Sequence, residues 1–260
     1  MRMKDISELA KNPNLISGIY NYCDRWCERC PFTARCLVYA TEEADPDNDP
    51  ASRDIRNAAF WQKLASIFQE TKEMIPEWAV ENGVDLSPRV PAVAKEQKDR
   101  QRGQARTHPL ARAAEEYARA VSQWFEKEFP QMEVFSDAAE ADKTIELDED
   151  TQDYVEVIRW YQYFIAAKTI RGILSRVDED KYLADEDPRD SDGSIKAALI
   201  AIDRSLSAWK LMGELRRENS DSIHRLLLDL ETLRLGAERE FPRAPDFIRP
   251  GFDENLDVLH

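Results

Sequence analysis

The chain has 260 residues, 42% of them hydrophobic, with only 8 glycines and a net charge of −15 from 36 basic and 51 acidic side chains. That charge repels phosphate backbones and anionic membrane surfaces, which argues against nucleic acid and membrane as partners. No apolar run approaches the ~20 residues needed to span a bilayer, and the N-terminal Met1-Arg2-Met3-Lys4-Asp5 is no secretory signal, so the chain reads as cytoplasmic.

Scarce glycine also disfavours a turn-rich β architecture. Apolar residues recur at helical spacing in nearly every segment, and strand-like alternation is absent at useful length. The expected fold class is all-α: a helical bundle with an N-terminal helix-turn carrying a four-cysteine metal centre. The periodicity predicts helices at roughly 14–30, 53–82, 108–129, 152–176, 192–218 and 221–240, with no internal repeat. Residues 1–41 form a cysteine-cluster segment, and 53–260 a bundle against which that segment packs as one continuous domain.

The first predicted helix follows Pro13 and contains Cys23, Cys27 and Cys30, with Cys36 beyond Pro31. These four are the only cysteines in the chain, spaced Cys-x3-Cys-x2-Cys-x5-Cys. In the reducing cytoplasm such a cluster implies metal binding rather than disulfides. On a helix, offsets of 0, 4 and 7 share one face, and a bend at Pro31 returns Cys36 to the same centre. Structural zinc usually takes two Cys-x2-Cys-like hairpins separated by a longer spacer, whereas a cubane accepts ligands strung along one short stretch, often with proline after a cysteine. An iron–sulfur cluster is therefore the expected cofactor, with zinc as the alternative that ligand softness also admits. Tyr20, Tyr22, Trp26, Phe32 and Tyr39 are placed to shield the centre, and Arg25, Arg29 and Arg35 to offset its charge.

Cys27-Glu28-Arg29-Cys30-Pro31, continuing through Cys36-Leu37-Val38-Tyr39-Ala40, resembles the Cys-x2-Cys-Pro-x4-Cys-Leu-x-Tyr-Ala stretch of the WhiB-like regulators. A similar Cys-x2-Cys-Pro-x4-Cys triplet occurs in CRISPR-associated exonucleases of the RecB type. In both families the motif holds a 4Fe–4S cluster, and that cofactor is what the resemblance implies for these positions. The likeness covers residues 27–40 only. The first ligand lies far upstream in those families, and their DNA-handling features are missing here, so no DNA-linked role is implied.

Further along, acidic stretches at 42–54, 136–153 and 178–192 read as solvated loops. Residues 83–107, with two prolines and the basic Lys95, Lys98, Arg100, Arg102 and Arg106, read as an exposed linker or as a docking point for an acidic partner protein. The helix predicted at 152–176 is apolar around its whole circumference over Tyr154–Leu174, and 192–218 behaves similarly over Ala197–Ile202. Helices of that kind are central, so charges on them must be paired or functional.

Glu156 and Arg159 are accordingly expected to be buried and paired, with Asp203 or Arg204 among the partners. Glu116, Tyr117, Glu156, Arg159, Asp203, Arg204 and His224 together make the candidate interior polar site. His224, Glu231 and Glu238 form one stripe that reads first as a solvent face. The paired Glu-x2-His motifs of di-iron bundles are absent, as are phosphate-binding glycine loops and nucleophile elbows. Three functions fit: an iron–sulfur protein with a redox-sensing, electron-transfer or structural role; a zinc-stabilised helical interaction module; or a helical enzyme whose cysteine centre is structural.

Overall fold

The computed structural model describes residues 3–44, 57–86, 92–129, 148–182, 189–215 and 220–254. Among these every regular element is helical and no strand occurs. None of these helices is long and apolar enough to cross a membrane. The chain sorts into two compact units, Met1–Lys95 with Arg249–His260, and Glu96–Ile248. The division falls inside a helix rather than at the acidic stretch after residue 41, and the C-terminal residues return to the cysteine-bearing unit.

The first unit holds α1 (Met3–Ala10), three 3-10 turns (Ile19–Asn21, Cys27–Arg29, Thr33–Arg35), α2 (Leu37–Glu43) and α3 (Ala58–Glu81). The helix predicted at 14–30 does not form. Gly18 and Arg25 both take left-handed backbone, with φ of 74° and 61°, and Asp24 Oδ1 accepts the Trp26 N–H in a tight local turn. Such turn chemistry overrides the 0, 4, 7 spacing. By contrast α3 is a regular helix. Asn57 Oδ1 caps its start by accepting the Ala59 N–H, and Gly83, with φ of 65°, ends it while the Val84 N–H reaches back to Ala79 O.

Residues 83–107 are not simply a linker, because α4 (Ala92–Thr107) occupies most of the stretch. Its sequence is rich in strong helix formers, and Glu96–Arg100 and Asp99–Arg102 pair along its surface. All five basic residues singled out above are exposed on it.

The second unit is a four-helix bundle of α5 (Pro109–Glu128), α6 (Glu149–Tyr182), α7 (Asp190–Leu215) and α8 (Ser220–Glu240), followed by a 3-10 turn at Ala244–Asp246. Each helix packs on the next, and α8 closes the ring on α5. All neighbours run antiparallel. Arg204 and Gly172 of the α6–α7 pair meet Tyr161 and Ile195, while Leu110 and Trp124 of α5 meet Gly236 and Ser222 of α8. Across the diagonal, Trp209 stacks edge-on to Trp124 at 4.8 Å and fills the centre with Phe125, Phe129 and Tyr117.

Two expectations are corrected here, for α6 and for the acidic stretches, and the one for α7 holds. The helix α6 is not central, since Trp160 and Tyr163 face outward and its buried side is the stripe through Val155, Ile158, Tyr161, Ile165 and Thr169. The helix α7 is enclosed through most of its first three turns, from Ser191 to Ile202. Parts of the acidic stretches are structured: 149–153 and 178–182 belong to α6, and 190–192 start α7, while residues 45–54, 136–147 and 183–188 lie outside the described residues. Acids suit 149–153 and 190–192 because helix N-termini favour negative charge. Asp148 caps α6 through the Thr151 N–H, and buried Glu179 accepts from the N–H and hydroxyl of Ser191 at the start of α7.

Candidate metal centre

Two of the four cysteines sit at the same local feature. Cys30 and Cys36 each end a 3-10 turn and switch to extended backbone, their N–H groups bonding Cys27 O and Thr33 O at 3.1 Å. Cys30 precedes Pro31, which pushes it out of the helical region; Cys36 stands at the N-terminus of α2. Cys27 opens the first of those turns, and Cys23 lies upstream of the Asp24 turn, on the far side of left-handed Arg25. The chain thus curls around a point instead of running past it.

All four cysteines line one cavity of about 20 Å³. Trp26, Tyr20, Tyr39 and Ile19 form further parts of its wall, together with Thr33, Val38, Asp24 and Arg25. Phe252, from the returning C-terminal residues, completes it and packs edge-on to Phe32 at 5.1 Å. Trp26 and Ile19 are buried, and every cysteine is half-buried. Among the described residues no three His, Cys, Asp or Glu side chains are gathered as tightly as a preformed single-ion site. The thiols stand around the cavity.

The electrostatics fit a metal-free thiol cluster. The Cys27 thiol is pushed up to about 11, first by burial, then by Glu42, and then by Cys23, Cys30 and Cys36. Four thiolates in one place repel one another, and a bound cation reverses that cost. The Phe32 N–H points at Cys30 Sγ over 3.4 Å, a donor that stabilises negative charge on that sulfur. Of the three arginines proposed as counter-charges, only Arg25 lines the cavity; Arg29 stacks over Trp26 at 4.0 Å and Arg35 donates to Asn14 O at 3.1 Å. Of the five expected shielding aromatics, Tyr20, Trp26 and Tyr39 line the wall directly.

The seven candidates for an interior polar site are scattered. Tyr117 is buried, its hydroxyl accepting the Trp209 Nε1–H at 3.0 Å, and burial pushes its phenol up. Arg159 is half-buried with its guanidinium 4.5 Å above the Phe125 ring; among the described residues its Nε and Nη2 have no hydrogen-bond partner, and burial pulls its pKa down. Glu116, Glu156, Asp203, Arg204 and His224 are exposed.

The expected burial of Glu156 and Arg159, each paired with a group from a neighbouring helix such as Asp203 or Arg204, is therefore not what α6 presents. Glu156 lies on the outer face and accepts from Gln152 one turn back, at 3.4 Å. Asp203 takes the Arg234 Nε–H at 2.8 Å, and Arg204 donates to the Tyr161 hydroxyl. Leu211, two turns along on the same side of α7 as Arg204, is itself 40% exposed, so that side of α7 is open. His224 and Glu231 face solvent, and Glu238 pairs with Arg234 at 2.9 Å, so their stripe is the wetted side of α8.

A different polar cluster ties the bundle together. Glu240 at the end of α8 receives Arg176 of α6 at 2.6 Å and His108 at 2.9 Å. His108 in turn caps α5, its Nδ1 accepting the Leu110 N–H. Nothing local in the sequence reveals this partner of His108, which lies 132 positions away.

The chain matches no protein-family model, no curated protein and no solved structure.

Proposed function

We propose that Cys23, Cys27, Cys30 and Cys36 hold one iron–sulfur cluster, of the 4Fe–4S type, and that the protein serves as a redox protein in electron transfer or redox sensing. The observation that carries this reading is the convergence of all four thiols, and no other cysteine, on a single cavity. A cubane presents its irons at separate corners, so its thiolates stand apart around it, as these four stand around the cavity. Bound there, such a cluster supplies one-electron chemistry.

The chain's own residues set the conditions. The four sulfurs bind as thiolates and release their protons on loading. The Phe32 N–H holds charge at Cys30 Sγ, and Arg25 adds a positive charge at the wall. Trp26, Tyr20, Tyr39 and Phe252 restrict water on one side. Half-burial of the cysteines leaves the centre near enough to the surface for exchange with an oxidant or a partner protein.

Anaerobic purification followed by absorbance, iron, sulfide and zinc analysis tests this directly. A brown protein with about four iron and four acid-labile sulfide per chain supports the reading. A colourless protein with one zinc per chain would overturn the redox role and leave a zinc-stabilised interaction module. Cys27→Ser and Cys30→Ser should each lose the metal while the helices of Glu96–Ile248 keep their circular dichroism.

A further inference from the structure

Along α3, Trp61, Ile67, Phe68, Ile75 and Trp78 are between 42% and 66% exposed, and Phe60, Leu64 and Met74 are half-buried beside them. At 100° per residue these eight occupy one sector of about 140°. Monomeric surfaces seldom leave an apolar stripe of that kind open.

We propose that this stripe is the interface of a two-fold symmetric dimer, in which α3 pairs antiparallel with α3 of a second copy. The argument rests on self-complementarity, which an isologous interface requires. With the two-fold axis at the level of Gln69, Phe60 lies opposite Trp78, Leu64 opposite Met74, and Ile67 opposite Thr71, as in the core layers of an antiparallel coiled coil. On one flank Trp61 faces Ile75, and Phe68 faces its own equivalent. On the other flank Lys63 of each copy faces Glu77 of the other.

A parallel pairing would instead set Lys63 and Glu70 against the apolar Phe68 and Ile75. Antiparallel pairing segregates apolar from charged residues and matches opposite charges twice. Its one unfavourable contact is Glu70 with its equivalent, at the exposed rim. Pro76 lies on the opposite face of the helix, so the kink it introduces does not interrupt the seam.

The apolar area is modest. Three aromatic side chains of ~150–250 Å² each, about half exposed, plus two isoleucines, give roughly 400–500 Å² per copy. Doubled, this falls below the ~1,200–2,000 Å² of stable complexes, so the dimer is concentration-dependent, with a Kd of the order of micromolar.

Sedimentation velocity on the full chain over about 1–100 µM tests it. The mass should double across that range. Lys63→Glu and Glu77→Lys should each weaken association about ten-fold, since each converts two attractions into two repulsions. The double exchange should restore the wild-type Kd. Within one copy these residues are 14 positions, or about 21 Å, apart, so rescue cannot arise inside a chain. Phe68→Asp should leave a monomer with unchanged circular dichroism. A wild-type monomer at the highest concentration would overturn the proposal, and so would a double exchange that associates no better than the single ones.

Discussion

Gly251→Ala is the perturbation that best links the C-terminal return to the cysteine cavity. Gly251 has φ of +76°, and a Cβ there would lie 2.8 Å from Ile16 Cδ1, 3.1 Å from Ile19 Cδ1 and 3.2 Å from Ile16 Cγ2. Left-handed backbone costs a non-glycine residue about 1–2 kcal/mol. Overpacking adds about 1–3 kcal/mol, at the lower end here because Ile16 is only half-buried and can turn aside, whereas Ile19 cannot. The sum is about 2–4 kcal/mol for the first unit, or a fall in melting temperature of roughly 10 °C or more.

The loss has a direction. Arg249 and Asp253 clamp the turn with paired bonds of 2.9 Å, so the strain is relieved by moving Phe252 off the cavity. Differential scanning calorimetry reads the stability, and the rate of metal loss to a chelator reads the exposure of the centre. Gly103→Ala is the control, because nothing lies within 4 Å of its Cβ position in α4 and it should gain about 0.5–1 kcal/mol. If Gly251→Ala melted with the wild type, the close packing of 249–254 on Ile16 and Ile19 would be refuted.

Gly172→Ala should destabilise the bundle by about 1–3 kcal/mol despite its better helix propensity, because the new Cβ would lie 2.7 Å from Ile195 Cγ1 where α6 and α7 touch; chemical denaturation measures it. Glu240→Ala should cost about 1–3 kcal/mol by removing the shared partner of Arg176 and His108, whereas Glu156→Ala on the outer face should change the melting point little. In metal-free protein Cys27 should alkylate more slowly than an ordinary thiol near pH 9; since its folded pKa is raised, its contribution to stability is present below the free-thiol value and fades as pH rises through about 11, a trend Cys27→Ser should abolish. The Asp229 carboxyl is pushed up by burial and then by Glu116, so it favours the fold when protonated and opposes it as pH rises; Asp229→Asn should raise the melting point at neutral pH, with the gain vanishing in acid.

Local pattern alone was enough for several features. Helical spacing of apolar residues placed α5, α7 and α8 within three residues of their ends and α3 and α6 within six, because a 3.6-residue period is a local property of the chain. The cysteine run named the candidate ligands, since proximity in sequence keeps four thiols close whatever turns lie between them. The turns themselves were misjudged: spacing that fits a helix face also fits two 3-10 turns, and Gly18, Asp24 and Arg25 decided between them through backbone preferences that periodicity does not register. Other features depended on neighbours distant in the chain. Phe252 reaches the cavity from more than 200 positions away, and Glu240 collects Arg176 and His108 from two other helices. Which side of α6 is wet was also a tertiary decision. Trp160 and Tyr163 are as apolar in sequence as Ile158 and Ile165, and only the positions of α5 and α7 determine which of them is covered. Burial depends on what stands opposite a side chain, and a single helix does not carry that information.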